Sequence, residues 1–76
     1  MKLNTFLDGL SIIRAHYRDP DGFHLGADHD IIYAYPTDFP LSEFEFQRMV
    51  TLGWHQPDGD EDKKVYFPDE GWAAYV

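Results

Sequence analysis

The stretch Asp30-Ile31-Ile32-Tyr33-Ala34-Tyr35-Pro36 decides the fold. Its core is β-branched or aromatic and a proline closes it, which is a strand signature. Strand side chains alternate, so Ile31, Tyr33 and Tyr35 share one face and Ile32 and Ala34 the other. Both faces are largely apolar, which predicts a central strand with neighbours on either side.

Downstream, Ser42-Glu43-Phe44-Glu45 forms a capping box, with Ser42 as N-cap and Glu45 at N3. Leu41 and Phe46 then fall at N′ and N4, the hydrophobic-staple pair. Phe46, Met49, Val50 and Gly53 lie on one face of this helix, and Gly53 is placed to be its C′ residue. Upstream, Leu3, Phe6, Leu7, Leu10, Ile13 and Tyr17 recur at helical spacing. Thr5 with Asp8 makes a weak capping box and Asn4 is an alternative cap. Asp19-Pro20-Asp21-Gly22 stops the helix and turns the chain.

The remaining segments are shorter. Phe23-His24-Leu25-Gly26-Ala27-Asp28-His29 reads as a glycine-containing loop. Trp54-His55-Gln56 reads as a short strand and Pro57 to Asp62 as a turn or loop. Val65-Tyr66-Phe67 reads as a strand or extended arm, and Trp72-Ala73-Ala74-Tyr75-Val76 as the last strand. The expectation is a single α+β domain over residues 1–76, a small three- to four-stranded sheet with two helices packed on one face. The last two strands should form an antiparallel hairpin. The strand–helix–strand from Asp30 to Gln56 can close as a right-handed parallel crossover, making the sheet mixed.

Composition narrows the function. Fourteen acids against six bases give 76 residues a formal net charge of -8. That argues against direct nucleic-acid binding, which needs a basic footprint, and against docking on an anionic membrane. No apolar run approaches the ~20 residues of a membrane span, and the first residues do not read as a signal peptide. Cysteine is absent, so there is no thiol nucleophile or cysteine zinc site. A cytoplasmic globule is expected. Six Phe, five Tyr and two Trp give so short a chain its means of filling a core. A homodimer interface is another remedy, and the terminal strand can supply its edge.

Few constellations point to catalysis. Ser42 is committed as a cap, Ser11 lies mid-helix, and neither sits in a nucleophile elbow. Phosphate-binding glycine motifs are absent and no cofactor is implied. His24, Asp28, His29 and Asp30 cluster in one segment, and imidazole with carboxylate can bind a first-row metal. The simpler account is that His29 and Asp30 enter the strand and tie down the preceding loop by hydrogen bonds. Asp58, Asp60 and Asp62 imitate the first ligands of an EF-hand loop, but Lys63 stands where that loop needs glycine.

Acidity is the main positive clue. Asp19, Asp21, Asp28 and Asp30 fall in a stretch without Lys or Arg. Asp58, Asp60, Glu61 and Asp62 make a second block. Charge away from zero keeps small domains apart, but grouped acids also steer association with a basic surface. Tyr33, Tyr35 and Tyr66 are the candidate aromatic anchors.

His29-Asp30-Ile31-Ile32-Tyr33, Leu52-Gly53-Trp54 and Gly71-Trp72-Ala73-Ala74-Tyr75-Val76 together resemble a pattern in short acidic proteins of phages and prophages. The resemblance implies a setting rather than an activity. By analogy it suggests a non-catalytic, phage-encoded binding protein in the host cytoplasm, of anti-CRISPR or anti-restriction type. Such a protein would be a DNA mimic or inhibitor of a basic host protein or nucleoprotein complex, acting as a monomer or homodimer. The alternative is a small metal- or nucleotide-binding protein using His24, Asp28, His29 and Asp30.

Overall fold

The computed structural model describes residues 1–56 and 65–76. The elements run α1 (Leu3–Arg14), β1 (Leu25–Asp28), β2 (Ile31–Ala34), α2 (Glu43–Thr51) and β3 (Trp72–Tyr75). The sheet order is β1-β2-β3 and both pairings are antiparallel. The α+β class is as expected, and the strand read as central is central.

Alternation along β2 divides the molecule. Ile32 and Ala34 lie opposite Ala74 and Trp72, and this face carries the core. Ala34, Trp72 and Ala74 pack with Ile13 and Tyr17 from α1 and its continuation, and with Leu41, Phe46, Met49 and Trp54 from α2 and its flanks. Both helices therefore serve one face. Ile31, Tyr33 and Tyr75 occupy the opposite face and take no part in that cluster.

The second helix starts as the sequence predicts. Ser42 Oγ accepts the Glu45 N–H at 3.1 Å, and Glu45 Oε1 accepts the Ser42 N–H at 2.9 Å. Leu41 and Phe46 are both buried. Gly53 follows the helix with φ +94°, a left-handed position that glycine adopts without a Cβ penalty. The first helix starts differently. Lys2 is its N-cap and no side chain caps it, so neither Asn4 nor the Thr5–Asp8 pair does so. Leu3 and Leu7 are exposed and the buried positions of α1 are Gly9 and Ile13, so burial does not set where this helix begins.

Three further expectations are corrected. Leu25–Asp28, read as loop, is β1. Its composition has little strand preference, and its pairing comes from β2 through a two-residue connection at His29-Asp30. His29 takes the left-handed φ of 54° that closes it. Trp54–Gln56 contributes only an isolated antiparallel bridge, His55 to Ala73, so there is no parallel crossover. Val65–Phe67 forms no strand and no hairpin with β3. The Gln56 side chain takes the place of a strand partner: its Oε1 accepts the Phe67 N–H at 2.9 Å and its Nε2 donates to the Phe67 carbonyl at 2.8 Å.

The turn after α1 is joined to α2 by a side-chain hydrogen bond. His16 Nε2 lies 2.8 Å from Glu45 Oε2. The Glu45 carboxyl is held below its ordinary range, first by the Ser42 backbone N–H and then by the His16 side chain. A carboxyl acidified on folding stabilises the fold above its unfolded pKa, and that stabilisation is lost as pH falls through the lower, folded one. Glu45→Ala should therefore cost roughly 0.5–1 kcal/mol at neutral pH. It should also shrink the loss of stability on acidification, as read by urea unfolding at both pH values. An unchanged acid-side slope would remove Glu45 from that role.

Candidate partner-binding surface

Asp19 and Asp21 lie in the turn that leads toward β1. Asp19 Oδ1 accepts the Asp21 N–H at 3.0 Å, and its carbonyl accepts the Gly22 N–H at 3.1 Å. The Asp19 carboxylate is therefore fixed while the Asp21 side chain faces water. Asp28 ends β1 and Asp30 lies in the connection beyond it, both exposed. The fold thus places one pair of acids at each end of β1. A strand advances about 3.4 Å per residue, so the pairs flank a strip only a few residues long. Between positions 19 and 47 the chain has seven acids and no Lys or Arg, so no cation from this stretch offsets them.

The aromatic candidates divide. Tyr33 is half-buried on the helix-free face of the sheet and Tyr35, on the same alternation, is exposed. The Tyr35 carbonyl accepts the Tyr17 hydroxyl. Burial, and secondarily the Asp38 carboxylate, push the Tyr17 phenol up to about 12, so it remains a donor at any physiological pH. Tyr66 is half-buried against the core. It packs on Phe46 at 5.3 Å between ring centres, and its hydroxyl accepts the Leu41 N–H at 2.9 Å. Asp58, Asp60, Glu61 and Asp62 lie outside the described residues.

Sequence reading missed Phe23. Its side chain is 99% exposed beside the acidic turn, and Leu25 two positions on is also exposed. A lone Phe between a turn glycine and a histidine carries no periodic signal. Tyr75 and His55 were missed as well. Their rings stack at 5.2 Å and 16° on the helix-free face, an arrangement created by the bridge at Ala73.

The four residues of the metal alternative do not converge. His24 stacks on Tyr17 at 4.0 Å between centres, and its Nε2 lies against the Asp19 carbonyl. A carbonyl can only accept, so that nitrogen carries a proton and has no lone pair for a metal. His29 Nε2 is 3.5 Å from Asp28 Oδ1, with both side chains largely in water, and such a contact contributes little. Among the described residues no three His, Asp or Glu side chains group around a common point.

No protein-family model, curated protein or solved structure matches the chain. The functional reading therefore rests on these residues and their geometry.

Proposed function

We propose that this chain is a non-catalytic binding protein that engages a basic protein surface and covers it. In the setting that the phage resemblance suggests, the covered surface would be one that otherwise binds nucleic acid. The observation that supports this reading is the charge arrangement around β1. Asp19 and Asp21 at one end and Asp28 and Asp30 at the other flank a strip with exposed Phe23 and Tyr35 beside it. Like charges held on a folded frame repel, and a complementary partner relieves that repulsion. Exposed aromatic rings give such an encounter its short-range affinity.

The test is capture of a partner from bacterial lysate on the tagged chain, with elution in a salt gradient. Moderate salt should release the partner, because exposed charges are screened within about 10 Å at ~0.1 M ionic strength. Replacing Asp19, Asp21, Asp28 and Asp30 with Asn keeps their shape and the acceptor used by the Asp21 N–H. The variant should melt at or above the parent temperature and bind the partner at least about tenfold more weakly. Retention indifferent both to salt and to the four substitutions would defeat the reading.

A further inference from the structure

Among the described residues β1 is an edge strand of the sheet, and half of its backbone is unused. The Tyr35 N–H donates to the His24 carbonyl at 2.8 Å, one step beyond the Leu25–Ala34 pair. Antiparallel ladders alternate, so His24, Gly26 and Asp28 turn their backbone groups toward β2. Leu25 and Ala27 turn theirs outward, and both residues are exposed. No hydrogen bond from another described residue meets those outward groups. Natural edges are commonly covered, and an uncovered one is a template for strand addition.

Beside this edge lies a cleft. It has a volume of about 330 Å³ and is lined by Leu7, Leu10 and Arg14 of α1 and by Pro20, His24 and Leu25. That volume lies in the range of small ligand sites, and its walls are mainly apolar. Leu25 belongs to both features: its backbone is on the open edge and its side chain lines the cleft. A strand added to β1 would bring alternate side chains over the cleft. Arg14 has no carboxylate partner among the described residues and offers donors to the carbonyls of an incoming chain.

Charge selects the occupant. A second copy would bring its own net charge of -8, and its own Asp19, Asp21, Asp28 and Asp30, to the same edge, acid toward acid. We therefore propose that β1 and the α1 cleft receive an extended segment of a basic protein. The segment adds as a strand to Leu25 and Ala27, places an apolar side chain in the cleft and carries Lys or Arg at its flanks. The basic flanks rest on the acidic-surface reading above; the strand addition rests on the edge and the cleft.

The experiment pans random ten-residue peptides on the immobilised chain and measures the enriched peptides against variants. Enriched peptides should alternate apolar residues and carry flanking Lys or Arg. Ala27→Pro removes an outward N–H that no described residue uses, a position where an edge strand tolerates proline. It should weaken those peptides at least tenfold. Should Ala27→Pro fold poorly, amide exchange on the unmodified chain decides: peptide should slow the Leu25 and Ala27 amides at least tenfold. No enrichment, equal binding to Ala27→Pro in a folded state, or no slowing overturns the proposal. Concentration-dependent dimers abolished by Ala27→Pro would overturn the choice of occupant. Peptide binding lost in Ala27→Pro but indifferent to Asp28→Asn with Asp30→Asn would uphold strand addition and remove the acidic-surface reading. Salt-sensitive capture of a lysate partner undiminished by Ala27→Pro would do the reverse.

Discussion

Gly9→Ala should destabilise the protein by about 3 kcal/mol or more, against the usual sign of that change in a helix. In an exposed helix interior alanine gains about 1 kcal/mol over glycine. Here a Cβ on Gly9 would stand 2.0 Å from Trp54 Nε1, 2.6 Å from Cδ1 and 2.8 Å from Cε2. Three atoms of one rigid ring cannot be relieved by a flexible tip. The indole is 1% exposed and stacks on Phe6 at 5.5 Å, so it has no room to rotate. Overpacking of this kind costs typically 1–3 kcal/mol and more where neighbours cannot shift. A chain of this length has a total stability of about 4–11 kcal/mol, and each kcal/mol moves the melting temperature by about 4–8 °C. A fall of at least about 12 °C is therefore expected. Trp54→Phe should be less costly in the Gly9→Ala background than in the parent, because the pair shares one space. A Gly9→Ala protein that melts at or above the parent would show that α1 and Trp54 do not meet as described.

The same contact shows what sequence can reveal about this fold. Gly9 is a glycine inside an amphipathic helix, and its cost against alanine points to a close approach by another element. Which element approached was not legible, because Trp54 lies beyond two strands and a second helix. Local chemistry was legible wherever one segment contains all its partners. The α2 capping box closes within Ser42–Glu45, and the two apolar faces of β2 follow from its own alternation. β1 had no such signal: Leu25-Gly26-Ala27-Asp28 becomes a strand only because β2 offers it a ladder. Val65–Phe67, read as a strand or an extended arm, forms no strand. Its residues favour a strand, yet Gln56 takes the Phe67 backbone groups and no neighbouring strand is needed.

The candidate surface divides by the same rule. The lack of bases around Asp19, Asp21, Asp28 and Asp30 can be read directly, since charge does not depend on the fold. Their sorting to the two ends of one strand cannot be read until Leu25–Asp28 is known to be that strand. Nothing near Tyr66 in sequence shows that the Leu41 N–H requires its hydroxyl as an acceptor. Phe23 has no signal in sequence because exposure is a property of the folded chain.

Trp72→Ala should cost about 3–5 kcal/mol, the range for removing a buried large aromatic side chain. Trp72 is 1% exposed, and its ring centre lies 5.9 Å from Phe46 and 6.4 Å from Tyr66. Its loss would leave a cavity between β3, α2 and the segment around Tyr66. The Tyr66 ring would lose one of its two walls, and with it the support that holds its hydroxyl on the Leu41 N–H beside the α2 cap. The damage reaches the other side of the sheet as well. Among the described residues β1 pairs only with β2, and β2 is held over the core through its register with β3, where Ala34 lies opposite Trp72. A Trp72→Ala protein should thus lose peptide protection at Leu25 and Ala27 along with its near-ultraviolet aromatic signal. Trp72→Phe, which keeps a ring in the same space, should retain both with a smaller loss of stability. Phe44→Ala is the matched control. Its ring is 80% exposed on α2, and its removal should change stability by no more than about 0.5 kcal/mol. Equal effects from Trp72→Ala and Phe44→Ala in urea unfolding would contradict a core centred on β3.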